Sequence, residues 1–199
     1  MDFNKSEIKD LVFAGFMISL AFAILFGGGY QALLSLNYGL FFAFIISFFT
    51  AGIGFLLHEL AHKIVAQRYG LTAHFKAFYP MLWLALLFSF FGFILAAPGA
   101  VFISGFMNRE KNGKISIAGP LTNIILAFIF LLLLSIFGNG DGLFNYFIYY
   151  GLSINALLAA FNMIPVMPFD GAKVISWNKG AYFITLIIAV GLWIVSFFV

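Results

Sequence analysis

The residues best equipped for chemistry sit in one short stretch, His58-Glu59-Leu60-Ala61-His62, preceded by Phe55-Leu56-Leu57. On a helix, positions four apart share a face. His58 and His62 can therefore both direct an imidazole nitrogen at one metal ion, about 2.0 to 2.1 Å away for zinc. Glu59 then lies beside that ion. A carboxylate there can take a proton from a water that zinc has acidified from a pKa of about 15.7 to about 7. With 3 histidines in 199 residues, and glutamate only at 7, 59 and 110, the pattern is expected roughly 0.0007 times per chain by chance. Polar residues that merely join helices are a costly alternative, because a charge placed centrally in a membrane span costs about 2.5 to 3.5 kcal/mol on insertion scales. Binding of a metal is the better reading.

Two histidines and a water leave one ligand position unfilled. The chain has no cysteine, which excludes disulfides, thiolate sites and a cysteine nucleophile. The remaining candidates are Asp2, Asp10, Asp141, Asp170, Glu7, Glu110 and His74. His74 lies past the end of the motif helix in a polar-aromatic loop and reads as solvated. Asp170 is the strongest candidate. It follows Pro165 and Pro168, which must distort a helix end, and precedes Gly171, which frees the backbone. An acid on an unwound helix end needs a partner, and a metal supplies one.

The elements that must position these side chains are apolar. The chain is 64% hydrophobic and 9% charged, against about a quarter charged in soluble domains. Apolar runs cover about 11–26, 40–69, 81–97, 115–137, 144–167 and 181–199, each long enough to bury in lipid. Lipid offers the backbone no hydrogen-bond partners, so the runs must be helices. The absence of a two-residue alternation argues against an outer-membrane barrel. The expected fold is an all-α polytopic membrane protein, a single domain over 1–199 with its core at about 40–175. It has five to six membrane segments and a short extended element between the second and fourth apolar runs. The Ala21-Phe22-Ala23 triplet superficially resembles a signal cleavage site, but it is followed by Ile24-Leu25-Phe26 within the apolar core rather than by a polar region. A net charge of +3 is too small and too scattered for a nucleic-acid-binding face. No repeat or soluble second domain is visible.

Positive charge collects in cytoplasmic loops. If all six runs cross, the ten lysines and arginines divide five to each side and give no orientation. If 81–97 instead dips in and returns, all ten fall on one face, and the loops at 27–39 and 138–145 carry only Asp141. Pro98-Gly99 would end the descending helix, and residues 100–104 are rich in strand formers. The re-entrant arrangement, with five crossings, is preferred. It brings the end of the fifth run to the basic face, where Asp170 can fold inward. His58 lies 11 residues before Tyr69, roughly 16 Å up the helix from that face, so the site is expected nearer the cytoplasmic side.

Taken together, His58, Glu59 and His62, the Ala118-Gly119-Pro120-Leu121-Thr122-Asn123 element, the segment from Asn162 to Pro165, and Pro168-Phe169-Asp170-Gly171 resemble the site-2 protease family of intramembrane zinc metalloproteases. Three motifs in order over about residues 50–175 are more specific than the histidine motif alone. The resemblance implies three core helices around one zinc ion held by His58, His62 and Asp170, with Glu59 as general base, acting on a membrane-protein substrate within the bilayer of the cell membrane. The spacer between His62 and Gly119 is longer than in the simplest members. Asn162 and Asn123 could stabilise an oxyanion or orient substrate, or equally join helices by hydrogen bonds; the resemblance favours the former for Asn162. Residues 100–104 could offer a strand edge to an unwound substrate, or form a plain loop. The main rival is a zinc-binding membrane protein without proteolysis, such as a transporter or scaffold, which would need no base beside a ligand. A heme or quinone bundle is disfavoured, since histidines four apart crowd one metal instead of bracketing a porphyrin.

Overall fold

The computed structural model describes residues 3–31, 38–94, 98–138 and 142–199. Its elements in chain order are α1 (Lys5–Phe26), α2 (Tyr38–Ser47), a π-helical turn (Phe48–Gly52), α3 (Ile53–Arg68), β1 (Thr72–Ala77), α4 (Tyr79–Ser89), β2 (Gly99–Ser104), α5 (Arg109–Phe137), α6 (Leu143–Asn162), α7 (Asp170–Trp177) and α8 (Lys179–Val195). Among the described residues four helices are long and apolar enough to cross a membrane: α1, the continuous stretch Gly39–Arg68, α5 and α6. These four stand against the expected five to six segments; α4 and α8 are apolar but shorter. The loop residues 139–141, Asp141 among them, and residues 95–97 at the end of the third apolar run lie outside the described residues.

Contacts divide the chain into two compact units. One runs to Leu56 and resumes over His74–Phe102; the other comprises Leu57–Ala73 and Ile103–Val199. In the N-terminal unit, α1 starts well before its apolar run because the Asn4 side chain caps it, accepting from the Glu7 backbone N–H at 2.7 Å. The first turns of α1 then act on β1. Glu7 accepts from the Phe75 N–H at 2.8 Å, while Asp10 accepts from the Ala77 N–H at 3.0 Å and the Tyr79 hydroxyl at 2.5 Å. Alternate N–H groups of a strand point to the same edge, so these two acids occupy one edge of β1. Its other edge pairs with β2, and the Phe78 N–H reaches the Pro98 carbonyl at 3.0 Å.

That last bond has a topological consequence. The segment containing α4 begins and ends at hydrogen-bonded neighbours, whereas the two ends of a crossing segment lie about 30 Å apart. The chain between Phe78 and Pro98 therefore goes out and comes back. Over the described part of this apolar run, 81–94, the helix ends at Ser89 and the backbone turns at Gly92, whose φ of +88° suits glycine.

In the C-terminal unit, α5, α6 and α8 pack around Ile124, Ala127, Phe130, Ile148, Leu152, Ala156, Ala159, Ala189 and Leu192. Small residues let α5 and α6 approach closely, as a Cβ at Gly151 would overlap the Phe130 ring. This closeness allows short side chains to bridge the two helices at the site described next.

Candidate metal centre

The α3 helix includes the whole histidine motif, so its four-residue spacing becomes a shared face. His58 and His62 are both buried, and their Nε2 atoms lie 3.0 Å apart. The third group arrives from a break in the chain. Helix α6 stops at Asn162, because Pro165 and Pro168 cannot continue its hydrogen-bond ladder, and the Met167–Pro168 peptide is cis. Asp170 opens the next helix, α7. Gly171 is required beside it, since a Cβ there would run into the Met163 carbonyl. Asp170 Oδ2 ends 3.0 Å from His62 Nε2 and 3.4 Å from His58 Nε2. Its other oxygen, Oδ1, meets the Lys173 ammonium at 3.3 Å.

Gly119, on α5, closes the remaining side. A Cβ at this position would collide with Nε2 of both histidines, so the residue must lack a side chain. One residue on, Pro120 interrupts the α5 ladder by lacking an N–H. One turn earlier the Ile115 carbonyl faces His62 Nδ1 at 2.8 Å.

The hydrogen bonds on the far sides of the two rings settle what the near sides offer. A carbonyl oxygen only accepts, so His62 Nδ1 must carry a proton to meet Ile115. His58 Nδ1 lies 2.6 Å from Asn123 Oδ1 and must likewise donate. In a neutral imidazole one nitrogen donates and the other accepts, so both Nε2 atoms present lone pairs. With both rings neutral, three electron-rich atoms thus converge within 3.4 Å. A cation is what such a donor set fits. Tetrahedral ligands at the zinc bond lengths above stand roughly 3.3 Å from one another, close to the three edges observed. Oriented second-layer partners on each ring nitrogen distal to the metal are characteristic of histidine ligands.

His58, His62 and Asp170, named from the sequence, are therefore brought together. Among the described residues no other trio of histidine and acidic side chains converges in this way. Glu59 is buried on α3 between the two histidines in sequence. Asn123 is fully buried and bonded to His58, and its amide nitrogen donates to Asn155 Oδ1 at 3.0 Å. Asn162 is the last residue of α6 and donates to the Leu158 carbonyl of its own helix at 2.9 Å. His74 belongs to β1, where it is exposed and its ring stacks on Phe102. Sequence reasoning missed Asn155, Lys173 and the Ile115 carbonyl. Asn155 carried a usable signal, as an amide one heptad before Asn162 in an apolar helix; so did Lys173, three residues after Asp170. A backbone carbonyl leaves none.

Comparison with known proteins gives relatives of one kind. The chain is 43% identical over 178 residues to the Methanocaldococcus jannaschii protein named "Putative zinc metalloprotease MJ0611", covering 88% of this chain and 86% of that one. It is 34% identical over 146 residues to "Putative zinc metalloprotease YwhC" of Bacillus subtilis, covering 63% and 65%. A second M. jannaschii protein, "Zinc metalloprotease MJ0392", is 29% identical over 142 residues, which are 70% of this chain but 35% of that protein. No family model and no solved structure matches the chain.

Proposed function

The chain belongs to this family of zinc metalloproteases, and from that premise we propose that it is an intramembrane endopeptidase of the site-2 type, hydrolysing peptide bonds of membrane-protein substrates. The observation that carries the reading is the meeting of two imidazole lone pairs and a carboxylate oxygen within 3.4 Å, with Glu59 next in sequence to one of them. Zinc is the cofactor these donors suit, held by His58, His62 and Asp170.

Bound zinc lowers the pKa of water and polarises a carbonyl. The chain's own residues supply the rest. Glu59 accepts the proton of the attacking water and passes it to the leaving amine. Asn162 remains available to orient the substrate backbone. Helical substrates must unwind to be cut, and an unwound chain binds well as an added strand. The α1 acids occupy the outer N–H groups of β1, which favours the outer edge of β2 for that purpose.

A membrane setting is supported by the four long apolar helices and by the outward face of α5, where Ile125, Leu132 and Ile136 are each more than half exposed. A soluble monomer rarely leaves such a stripe uncovered. The out-and-back path between Phe78 and Pro98 supports a re-entrant element, which puts the basic residues and the site toward the cytoplasmic face of the cell membrane. Labelling cysteines placed at Lys111 and Asp141 should find opposite sides.

Substitution of Glu59→Gln tests the chemistry. Zinc content should stay the same while cleavage of a transmembrane reporter falls by about 10²- to 10⁴-fold. Undiminished cleavage would remove Glu59 as the base, and a zinc transporter or scaffold would show no cleavage in the parent protein either.

A further inference from the structure

Behind His58 runs a chain of three hydrogen bonds through two fully buried amides. Asn155 Nδ2 donates to the Gly151 carbonyl one turn back in α6, at 2.9 Å. Asn155 Oδ1 accepts from Asn123 Nδ2 at 3.0 Å. Asn123 Oδ1 faces His58 Nδ1 at 2.6 Å. We infer that Asn155, through Asn123, is a positioning residue that sets which nitrogen of His58 carries the proton and so which one is left for the metal; this rests on the metal-binding part of the reading above.

The sense of the chain is fixed at its far end. An asparagine amide can turn over, exchanging a donor for an acceptor with almost no change of shape. An amide facing Nδ1 could in this way match either tautomer of the ring. Asn155 removes that freedom. The Gly151 carbonyl can only accept, so Asn155 must point its NH₂ there and its oxygen toward α5. Asn123 must then donate to Asn155 and turn its own oxygen to His58. A ring facing that oxygen must hold its proton on Nδ1, and Nε2 is left with its lone pair toward Asp170 and His62. His62 needs no such relay, because its partner is itself a backbone carbonyl. Gly151 also permits the arrangement sterically, by admitting α5 close enough for two short amides to meet.

Packing alone and control of the ring proton predict opposite responses to substitution. Leucine matches asparagine in size but neither donates nor accepts. Aspartate keeps an oxygen toward Asn123 and adds a buried charge. If Asn155 serves only to fill space, Asn155→Leu is mild and Asn155→Asp damaging. If it sets the tautomer, the order reverses.

The test uses full-length protein in detergent with Zn²⁺ as the probe, its affinity measured by competition with a chelator. The position of the ring proton is read separately by ¹⁵N NMR on metal-free, histidine-labelled protein. Only 3 histidines are present, and His58 is identified by substitution. In the parent the His58 proton should sit on Nδ1. In Asn155→Leu, Zn²⁺ affinity should fall about 10- to 100-fold, the range typical of lost outer-layer partners, and part of the proton should move to Nε2. Asn155→Asp should stay within about threefold of the parent. Should the aspartate variant fail to fold, the leucine variant decides alone. Unchanged affinity, or weakened affinity with the proton still wholly on Nδ1, would overturn the inference. A parent protein that binds Zn²⁺ but cleaves nothing would defeat the proteolytic reading and leave this one intact.

Discussion

Glu7 and Asp170 are both acids withdrawn from solvent, at 2% and 8% exposure, yet they meet opposite kinds of neighbour. Glu7 accepts a hydrogen bond from the backbone N–H of Phe75; Asp10, a turn later, does the same for Ala77. Asp170 instead directs one oxygen at two imidazole nitrogens whose own protons are engaged elsewhere. A carboxylate facing fixed donors satisfies both itself and the strand edge. A carboxylate facing lone pairs is incomplete without a cation. Burial of charge in an apolar chain therefore does not by itself mark a chemical site; what marks it is whether the partners can donate.

The largest effect that would sharpen this contrast comes from Asp170→Ala. Losing a direct ligand should lower zinc affinity by more than the roughly 10- to 100-fold seen for outer-layer changes, and reporter cleavage should vanish with it. Chelator competition measures the first and a cleavage assay the second. Retained zinc and retained cleavage would break the contrast outright. Gly119→Ala should come close behind it. Its methyl group would lie where the two Nε2 atoms converge, so zinc should be largely lost while helix content by circular dichroism stays near the parent value.

On the other side of the comparison, Glu7→Ala should leave zinc affinity unchanged and act on stability. It strips a buried N–H of its acceptor, which costs about 1 to 3 kcal/mol. Thermal unfolding in detergent, followed with and without chelator, should show the same loss in both conditions. Glu7→Gln, which keeps an acceptor oxygen, should lose less. A zinc-dependent penalty at Glu7 would mean that the two acids are not separable in this way.

Much of this was open to inspection in the sequence, for reasons that differ from residue to residue. His58 and His62 are legible because helical periodicity is local, and the spacing alone puts both on one face. Asp170 is legible because prolines and a glycine announce the helix break on which it sits. The return of the chain at Pro98 could be anticipated from charge placement, while its partner strand β1 could not: Thr72–Ala77 contains a histidine and a lysine, and its outer N–H groups are met by acids 67 and 68 positions away in sequence. The role of Asn155 was hidden for a similar reason. Its partner, Asn123, is 32 residues distant, and only packing reveals that the two amides meet. Local pattern thus identified the atoms that would touch a metal and singled out Asn123 without its partner, but left Asn155 and the Ile115 carbonyl unseen.

Lys173 offers the finest adjustment of the comparison, because it gives Asp170 a donor of the kind that Glu7 enjoys. Its ammonium lies 3.3 Å from Oδ1, and its side chain is 30% exposed, so the pair is screened and worth about 0.2 to 1 kcal/mol. Two effects compete when it is removed. Lys173 holds the carboxylate in place, which helps a metal bind; it also partly neutralises the same carboxylate and repels an incoming cation, which hinders binding. Asp170 is already positioned by the helix it opens and by the close approach of Gly171 to the Met163 backbone, so the electrostatic effect should win. In Lys173→Met the metal-free protein should lose the counter-charge beside Asp170 Oδ1 and become less stable, while the loaded form changes little. By linkage, whatever destabilises the free form relative to the bound form tightens binding. Apparent zinc affinity should therefore rise by a factor of about 1.5 to 5, and the difference in unfolding temperature between zinc-loaded and chelator-treated protein should widen. A narrower difference would mean that Lys173 acts chiefly by aiming the carboxylate, which would make Asp170 more like Glu7 than the geometry around its other oxygen implies.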